Sequence, residues 1–544
     1  MFSSRSLPAA VYIVVVSALV GGFFGRSALA TQDRESERYR VFAAALSAIE
    51  SEYVDPEVET DRVVYAAIGG MLQTLDPHSS FLDPRTYSQL RERQEGRYYG
   101  LGITIQVIDG DITVVSLFEG SPAYRRGIRR GDVIARIGTE DTKGWTSDRA
   151  VKALRGPKGS AVEIGIRRAG YDELIPLSVE RDEIHIPTIQ GVFMIDAATG
   201  YVRLRDFSET TDRDLGRAID ELSAKGMKQL LLDLRDNPGG PLDQAIRVSN
   251  RFLRRGNMIV YTRGRISNSD SDYRATEDPT VPSMPVVVLV NRNSASAAEI
   301  VSGALQDHDR AFVVGETTFG KALVQSIYRI SNGAGLALTT ARYYTPSGRL
   351  IQRPWDGAFD EYLTYTLRDQ NAPRDHSPTE LKYTDGGRKV YSGGGIEPDK
   401  FMAGPVEGFN PTRFGRTLYA RQLFDTFAQR FFAEGDTRIQ AQVKNRRVVG
   451  PGFDVSDEIV AEFRAFVVEQ KVRMDEAAFE KDRVFIRAMI RYNVDLALFG
   501  VEAARRRLLT EDPQAQFALS QFPEAVKLAQ LGKDRNVAAA GDAR

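Results

Sequence analysis

The 544-residue chain has no cysteine, 4 His and 2 Trp, and its 72 Lys+Arg against 73 Asp+Glu leave a formal net charge of −1. Each shortage excludes something. Without thiols there is no disulfide framework, thiolate zinc site, iron–sulfur cluster or cysteine nucleophile, whatever the compartment. The charge balance argues against a basic surface, so no nucleic-acid partner is expected. What remains is an ordinary globular composition, 42% hydrophobic and 27% charged. That is material for roughly three or four domains at ~150 residues each.

One long apolar run occurs, from Pro8 to Phe24, with Arg5 ahead of it and Ala28-Leu29-Ala30 behind. A basic start, an apolar stretch and small residues at a cleavage spacing are the parts of an export signal. At about 17 residues the run sits at the lower limit for a membrane span, so an uncleaved anchor is the alternative. Either way residues 1–30 are expected to direct the chain to the periplasm or cell envelope.

Residues 31–96 read as a helical region. Phe42, Leu46, Ile49 and Tyr53, and then Val64, Ile68, Met71 and Leu75, recur at 4, 3, 4, the apolar stripes of two helices. The stretch LDPHSSFLDP (75–84) carries two Asp-Pro pairs that are expected to stop the second helix and force a turn, with His78 a turn or packing residue. From Tyr98 the texture changes to short alternating strands, GLGITIQV, DITVVSLF, GDVIARIG and SAVEIGIRR, around a short helix, SDRAVKALRG, capped by Ser147 or Asp148. This order, opening with Gly100-Leu101-Gly102-Ile103 and continuing through GSPAYRRGIRRGDVIARIG, resembles a PDZ domain over residues 97–182. The resemblance implies that backbone amides of Gly100, Leu101, Gly102 and Ile103 receive a peptide's terminal carboxylate while the peptide adds a strand to the sheet edge. It also implies an apolar pocket formed by Leu101, Ile103 and the 147–155 helix.

Residues 183–405 alternate strands and helices. YVRLRDF (201–207) and QLLLDLR (229–235) flank a helix with Leu215, Ile219 and Leu222 on one face, and PVVVLVN (285–291) and AFVVGE (311–316) flank AAEIVSGALQDH. This is the pattern of an α/β core whose sheet is buried on both sides. Residues 406–544 read as helical, with stripes at Phe424, Phe427 and Phe431, at Ile459, Phe463 and Phe466, and at Phe485, Met489, Tyr492, Leu496 and Phe499. Such stripes need a partner surface, either the core or a second subunit.

Three segments carry chemistry. In DLRDNPGG (233–240) a buried strand enters a turn where Gly239 and Gly240 let the backbone approach a bound group and present N–H donors. In NRNSASAAEI (291–300) a strand turns through small polar residues into a helix; Ser294 and Ser296 both sit where the helix dipole is positive, and either could simply cap the helix. The third, VVGETTFGKALVQS (313–326), approaches the phosphate-binding G-x-x-x-x-G-K-[ST] pattern but has Ala322 where the magnesium-binding hydroxyl belongs. The residues from Ala322 on, ALVQSIYRI, read as a strand rather than the helix such a loop opens.

A serine nucleophile needs a base, and His308, Asp307 and Lys321 are the candidates. His308 lies 12 residues beyond Ser296 along one helix, ~18 Å away and out of reach. Lys321 can return along the next strand. A lysine among apolar neighbours loses its proton more readily than the free side chain at ~10.4 and can then accept the serine proton, so the rate should rise with pH.

Taken together, SASAAEI with LQDH, VVGETTFGKALVQ, DLRDNPGG, RYYTPSGRLIQ (342–352) and GGIEPD (394–399), downstream of LDPHSSFLDP and a PDZ-like domain, resemble the carboxyl-terminal processing, or tail-specific, proteases of peptidase family S41. The resemblance runs from about residue 40 to 405. It implies a multidomain α/β fold: a ClpP/crotonase-like protease core with an inserted PDZ domain and N- and C-terminal helical regions. It also implies Ser296 as nucleophile, Lys321 as general base and Gln325 as the side chain orienting that lysine. Asp307 would be a supporting acid, and the amide of Ala297 with one from Gly239 or Gly240 the oxyanion hole. Ala298 stands where a second serine is usual. The implied activity is a serine endopeptidase of the cell envelope that engages apolar protein C-termini and cleaves unfolded or tail-exposed substrates without metal or cofactor. Family members often form dimers or larger rings and some need a lipoprotein partner, so a homo-oligomer and a lipoprotein adaptor are both open. A catalytically silent PDZ scaffold is the alternative reading, against which stand Ser296, Lys321 and Gln325 together.

Overall fold

The computed structural model describes residues 37–55, 57–118, 120–168, 171–281, 284–355, 362, 364–368, 374–433, 449–450 and 452–531. The export signal or anchor lies outside the described residues. Among them, no helix is long and apolar enough to cross a membrane. The chain forms two units, Met1–Tyr87 with Ser326–Thr339, and Ser88–Gln325 with Thr340–Arg544.

In the first unit the two striped segments are helices, 37–52 and Thr60–Gln73. The second ends at Gln73 because Asp76 folds the chain back on itself: its carboxylate accepts the amides of His78 and Ser79, both at 2.8 Å. The strand Ser80–Leu82 then pairs antiparallel with residues 335–337. The second Asp-Pro pair does the opposite of what the sequence suggests. It opens a helix, Pro84–Glu95, with the Asp83 carboxylate accepting the Thr86 amide at 2.7 Å and proline at the first helical position, where its missing N–H costs nothing.

In the second unit, residues 97–185 form an antiparallel sheet in the order Ile103–Ile108, Asp111–Leu117, Val133–Ile137, Ala161–Arg167, Ile175–Glu180, with a separate ribbon of Arg97–Gly100 and Asp182–His185. Alternation puts Ile112, Val114, Ile134, Ile164 and Ile166 inside, against Ala150 and Leu154 of the helix Ser147–Leu154. That helix is capped neither by Ser147 nor by Asp148. Thr146 caps it, accepting the Arg149 amide at 3.3 Å.

The α/β core carries a six-stranded sheet in the order Ile189–Met194, Thr199–Leu204, Gln229–Asp233, Val286–Val290, Phe312–Gly315, Lys400–Phe401. The first pair is antiparallel and the others parallel. The strands are apolar throughout because both faces are covered. Val202, Leu230, Leu232, Val286, Val288 and Val313 face the helices Thr211–Ala224, Leu242–Asn250 and Ala297–Asp307. Tyr201, Leu231, Val287, Leu289 and Val314 face the other way, onto Leu509, Ala515, Ala518 and Phe522 from the end of the chain. The C-terminal stripes therefore have two partners. Phe424, Phe427, Phe431, Phe463, Phe466 and Phe485 pack on one another in a core of their own, and the last helices cover the open sheet face.

Candidate active site

Two serines follow the strand Val286–Val290. Ser294 is buried, its hydroxyl donating to the Leu234 carbonyl (2.8 Å) and accepting the Asn291 amide (2.9 Å), so it builds the turn. Ser296 is half-buried at the N-terminus of Ala297–Asp307 with φ 53°, ψ −114°, a backbone state that side chains rarely adopt and that costs roughly 1–3 kcal/mol.

That strained residue is tied to Lys321 through two groups. The Glu299 carboxylate, fully buried, accepts the Ser296 amide at 2.8 Å and the Lys321 amide at 2.9 Å on the same oxygen, Oε2. Its other oxygen accepts the Gly320 amide (2.7 Å) and the Thr318 hydroxyl (2.5 Å). The buried Tyr343 hydroxyl also donates to the carbonyls of Ser296, at 3.2 Å, and of Lys321. Burial pushes the Glu299 carboxyl up to about 7, with the Thr318 hydroxyl and the three amides pulling it down. The same burial, with Glu299 beside it, holds the Tyr343 phenol well above its ordinary range. Lys321 is half-buried, and its Nζ donates to Gln325 Oε1 at 2.9 Å. The segment after it, Leu323–Arg329, is a strand, so no helix N-terminus faces a phosphate there and the nucleotide reading has no support.

The glycines of DLRDNPGG stand against Ser296. A side chain on Gly239 (φ +94°) would come within 2.7 Å of Ser296 Cβ and 2.8 Å of the Ala297 amide nitrogen, and one on Gly240 (φ +155°) would run into the Phe207 carbonyl. The Gly239 amide is already committed to Asn237 Oδ1 at 2.8 Å. The amides of Gly240 and Ala297 have no acceptor among the described residues. Beside this turn, at Pro241, lies a polar cavity of ≈ 670 Å³ lined also by Gln94, Glu209, Asp212, Asp243 and Arg247.

Asp307 and His308 lie elsewhere, at the far end of an 11-residue helix. Asp307 is buried in an ion pair with Arg349 (2.5 Å) and accepts the Ser347 amide and hydroxyl. His308 is held by the Met258 carbonyl and Asp385, both at 2.7 Å. Burial lowers its pKa, but these two partners outweigh it and leave the imidazole above its ordinary value.

A sequence profile for Peptidase family S41 matches residues 198–357, and one for the PDZ domain matches residues 89–167. The carboxy-terminal-processing protease of Bartonella bacilliformis is 39% identical over 329 residues, covering 59% of this chain and 75% of its own. The carboxy-terminal processing protease CtpA of Bacillus subtilis is 36% identical over 344 residues, 62% of this chain and 73% of its own. This chain belongs to the carboxy-terminal processing proteases. Among solved structures, a photosystem II D1 C-terminal processing protease shares 31% sequence identity over 57% of this chain and 89% of its own, with a TM-score of 0.33.

In this carboxy-terminal processing protease the strand Ile103–Ile108 is a sheet edge, beside the turn Gly100–Ile103. The turn is pinned through its carbonyls: Leu101 O accepts the Ala123 amide (3.0 Å) and Gly102 O the Phe118 amide (2.9 Å). Leu101 is buried in the domain core, whereas Ile103 is only partly covered. Beside that turn stands the Tyr98 phenol, which burial pushes up to about 12 against the pull of Arg155. Sequence reasoning missed Glu299, Tyr343 and Tyr98. Glu299 was legible only as a possible capping partner three residues after a serine, and nothing in the sequence placed Tyr343 or Tyr98 at the two sites.

Proposed function

We propose that this S41 peptidase is a serine endopeptidase of the cell envelope that engages protein C-termini through its PDZ domain and cleaves unfolded or tail-exposed chains through an acyl-enzyme. One observation carries the reading: Ser296 and Lys321 are fastened to the same Glu299 oxygen and the same Tyr343 hydroxyl, so the base and nucleophile residues are held together by their backbones. Neutral Lys321, oriented by Gln325, takes the proton as Ser296 Oγ attacks the scissile carbonyl carbon. The Ala297 amide, at a helix N-terminus, and the Gly240 amide receive the developing oxyanion. The lysine then returns the proton to the leaving amine, and water, deprotonated by the same group, releases the acyl product. In the PDZ domain, the amides of Gly100, Leu101, Gly102 and Ile103 receive a terminal carboxylate, and the arriving backbone extends the Ile103–Ile108 edge.

The test is digestion of β-casein by the chain from Thr31 onward, beside Ser296→Ala and Lys321→Ala. Loss of cleavage in both variants, with kcat/KM of the parent rising with pH, is the expected result. Cleavage persisting in Ser296→Ala refutes the assignment. An inactive parent that remains silent when envelope extract is added moves the balance to the scaffold reading.

A further inference from the structure

A buried ionic network runs from the active-site turns into the C-terminal helices. Asp236, the turn residue of DLRDNPGG with φ +59°, clasps both loops of the site: its Oδ1 accepts the side-chain amides of Asn291 (2.8 Å) and Asn293 (2.9 Å), and its own amide donates to Asn291 Oδ1 at 2.9 Å. Asn291 and Asn293 belong to the loop that delivers Ser296, and Asp236 to the loop that delivers Gly240. The second oxygen of Asp236 accepts Arg203 Nη2 at 3.1 Å. Arg203 is fully buried. Its Nη1 stands 3.5 Å from Asp233 and 3.7 Å from Glu407, and Asp233 is already forked by Arg235 and bonded by Tyr201.

Glu407 and its partner come from beyond the α/β core. Arg505, on the helix Arg483–Glu511, grips Glu407 at 2.5 Å, and Tyr419 donates to it at 3.0 Å. A parallel tie joins Arg235 to Asp512 at 2.7 Å. Three arginines (203, 235, 505) and three carboxylates (233, 407, 512) are thus buried together and balance. An arginine buried without a nearby carboxylate would be costly, so the place where Arg203 can rest is set by Glu407 as well as by the core.

We propose that Arg203 is a positioning residue of the protease, and that Glu407 and Arg505 make the C-terminal helical region part of the catalytic apparatus by fixing Arg203 against Asp236 and hence the spacing of the Gly240 and Ser296 loops. This rests on the serine-peptidase reading above. A misplacement of one oxyanion donor by a fraction of an ångström lowers the chemical step while leaving substrate binding largely intact.

The experiment uses the chain from Thr31 onward, with fluorescently labelled β-casein. Glu407→Gln/Arg505→Met removes the pair together, so neither charge is stranded. Expected are a kcat lower by roughly 10–100-fold, KM within about threefold, and a thermal midpoint within a few degrees of the parent. Asp236→Asn, at a partly exposed site, should give a similar loss at unchanged stability. The triple variant should be no slower than about twofold below the worse of the two, because both act through one contact. A folded double variant with kcat within about twofold of the parent overturns the inference, as does a change confined to KM or a triple variant whose losses multiply. If the double variant does not fold, an unchanged kcat in Asp236→Asn overturns it alone, and a loss of kcat there that Asn291→Asp reproduces supports it. Ser296→Ala separates the two claims: cleavage surviving in that variant sinks the serine-peptidase reading itself.

Discussion

Replacing Glu299 by Gln tests the heart of the site. The carboxylate receives four donors, two on each oxygen, and an amide has only one oxygen to offer. If the Gln oxygen keeps the Ser296 and Lys321 amides, its NH2 faces the Gly320 amide and the Thr318 hydroxyl. The hydroxyl can turn; the amide cannot, and a stranded buried donor costs about 1–3 kcal/mol. Proton linkage acts in the other direction. Native Glu299 holds its proton more tightly than the unfolded chain, about 7 against 4.5. The stability tied to it is therefore fully present below pH 4.5 and is lost as pH rises through 7. At ~1.4 kcal/mol per tenfold in proton affinity the loss is about 3 kcal/mol. Gln cannot ionise. The variant should thus be less stable than the parent at pH 5 by about 1–3 kcal/mol and equal or more stable at pH 8, with thermal midpoints crossing near neutrality. Activity should fall by roughly 10–100-fold above about pH 7, where the parent's Glu299 is ionised, since Ser296 and Lys321 are no longer fastened to one anion. Melting curves from pH 4.5 to 8.5 beside casein digestion measure both. Parallel midpoint-against-pH curves for parent and variant would refute the titration argument, and full activity would refute the fastening role.

Three other substitutions probe separate parts of the molecule. Gly239→Ala drives a methyl group to within 2.7 Å of Ser296 Cβ at a positive φ; casein cleavage should fall at least ~100-fold while the PDZ domain still binds a C-terminal peptide in a titration. Tyr98→Phe removes the hydroxyl that stands beside the Gly102 amide, so an apolar peptide with a free carboxylate should bind as tightly or tighter by calorimetry, by at most about tenfold at one hydrogen bond's net worth of ~1 kcal/mol, and an amidated peptide should not gain. Arg349→Met strands Asp307 in the core and should cost about 3–5 kcal/mol, which Arg349→Met/Asp307→Asn should largely recover. Neither variant should alter the shape of the pH–rate profile, because Asp307 lies at the far end of the helix from Ser296.

Much of this protein is written locally. The alternation of Leu230 to Leu232 and Val286 to Val290 gives a doubly covered sheet because a period of two sends successive side chains to opposite faces, and composition alone shows that both faces are apolar. The strand after Lys321 is legible from β-branched and aromatic residues, and it removes the nucleotide reading without a structure. Where local signals are symmetric, sequence fails. Asp-Pro both ends and begins helices, so Pro84 reads as a stop although it opens Pro84–Glu95. Ser294 and Ser296 are alike in type and neighbourhood, and only the Leu234 carbonyl against one and the strained φ of the other tell them apart.

Residues distant in sequence meet through packing alone. Gln325, on the strand that begins two residues after Lys321, is a short-range relation, but Tyr343 at two carbonyls, Gly239 against Ser296 Cβ, and Arg203 between Asp236 and Glu407 join segments separated by tens to hundreds of positions. A side chain's identity carries its hydrogen-bonding and charge, not its neighbour. Residue types and short spacings narrow the chemistry open to the chain to a serine with a nearby amine. The packing of the sheet between the core helices and the C-terminal helices brings these groups together, because burial is what forces a carboxylate such as Glu299 or Glu407 to find donors wherever in the chain they lie.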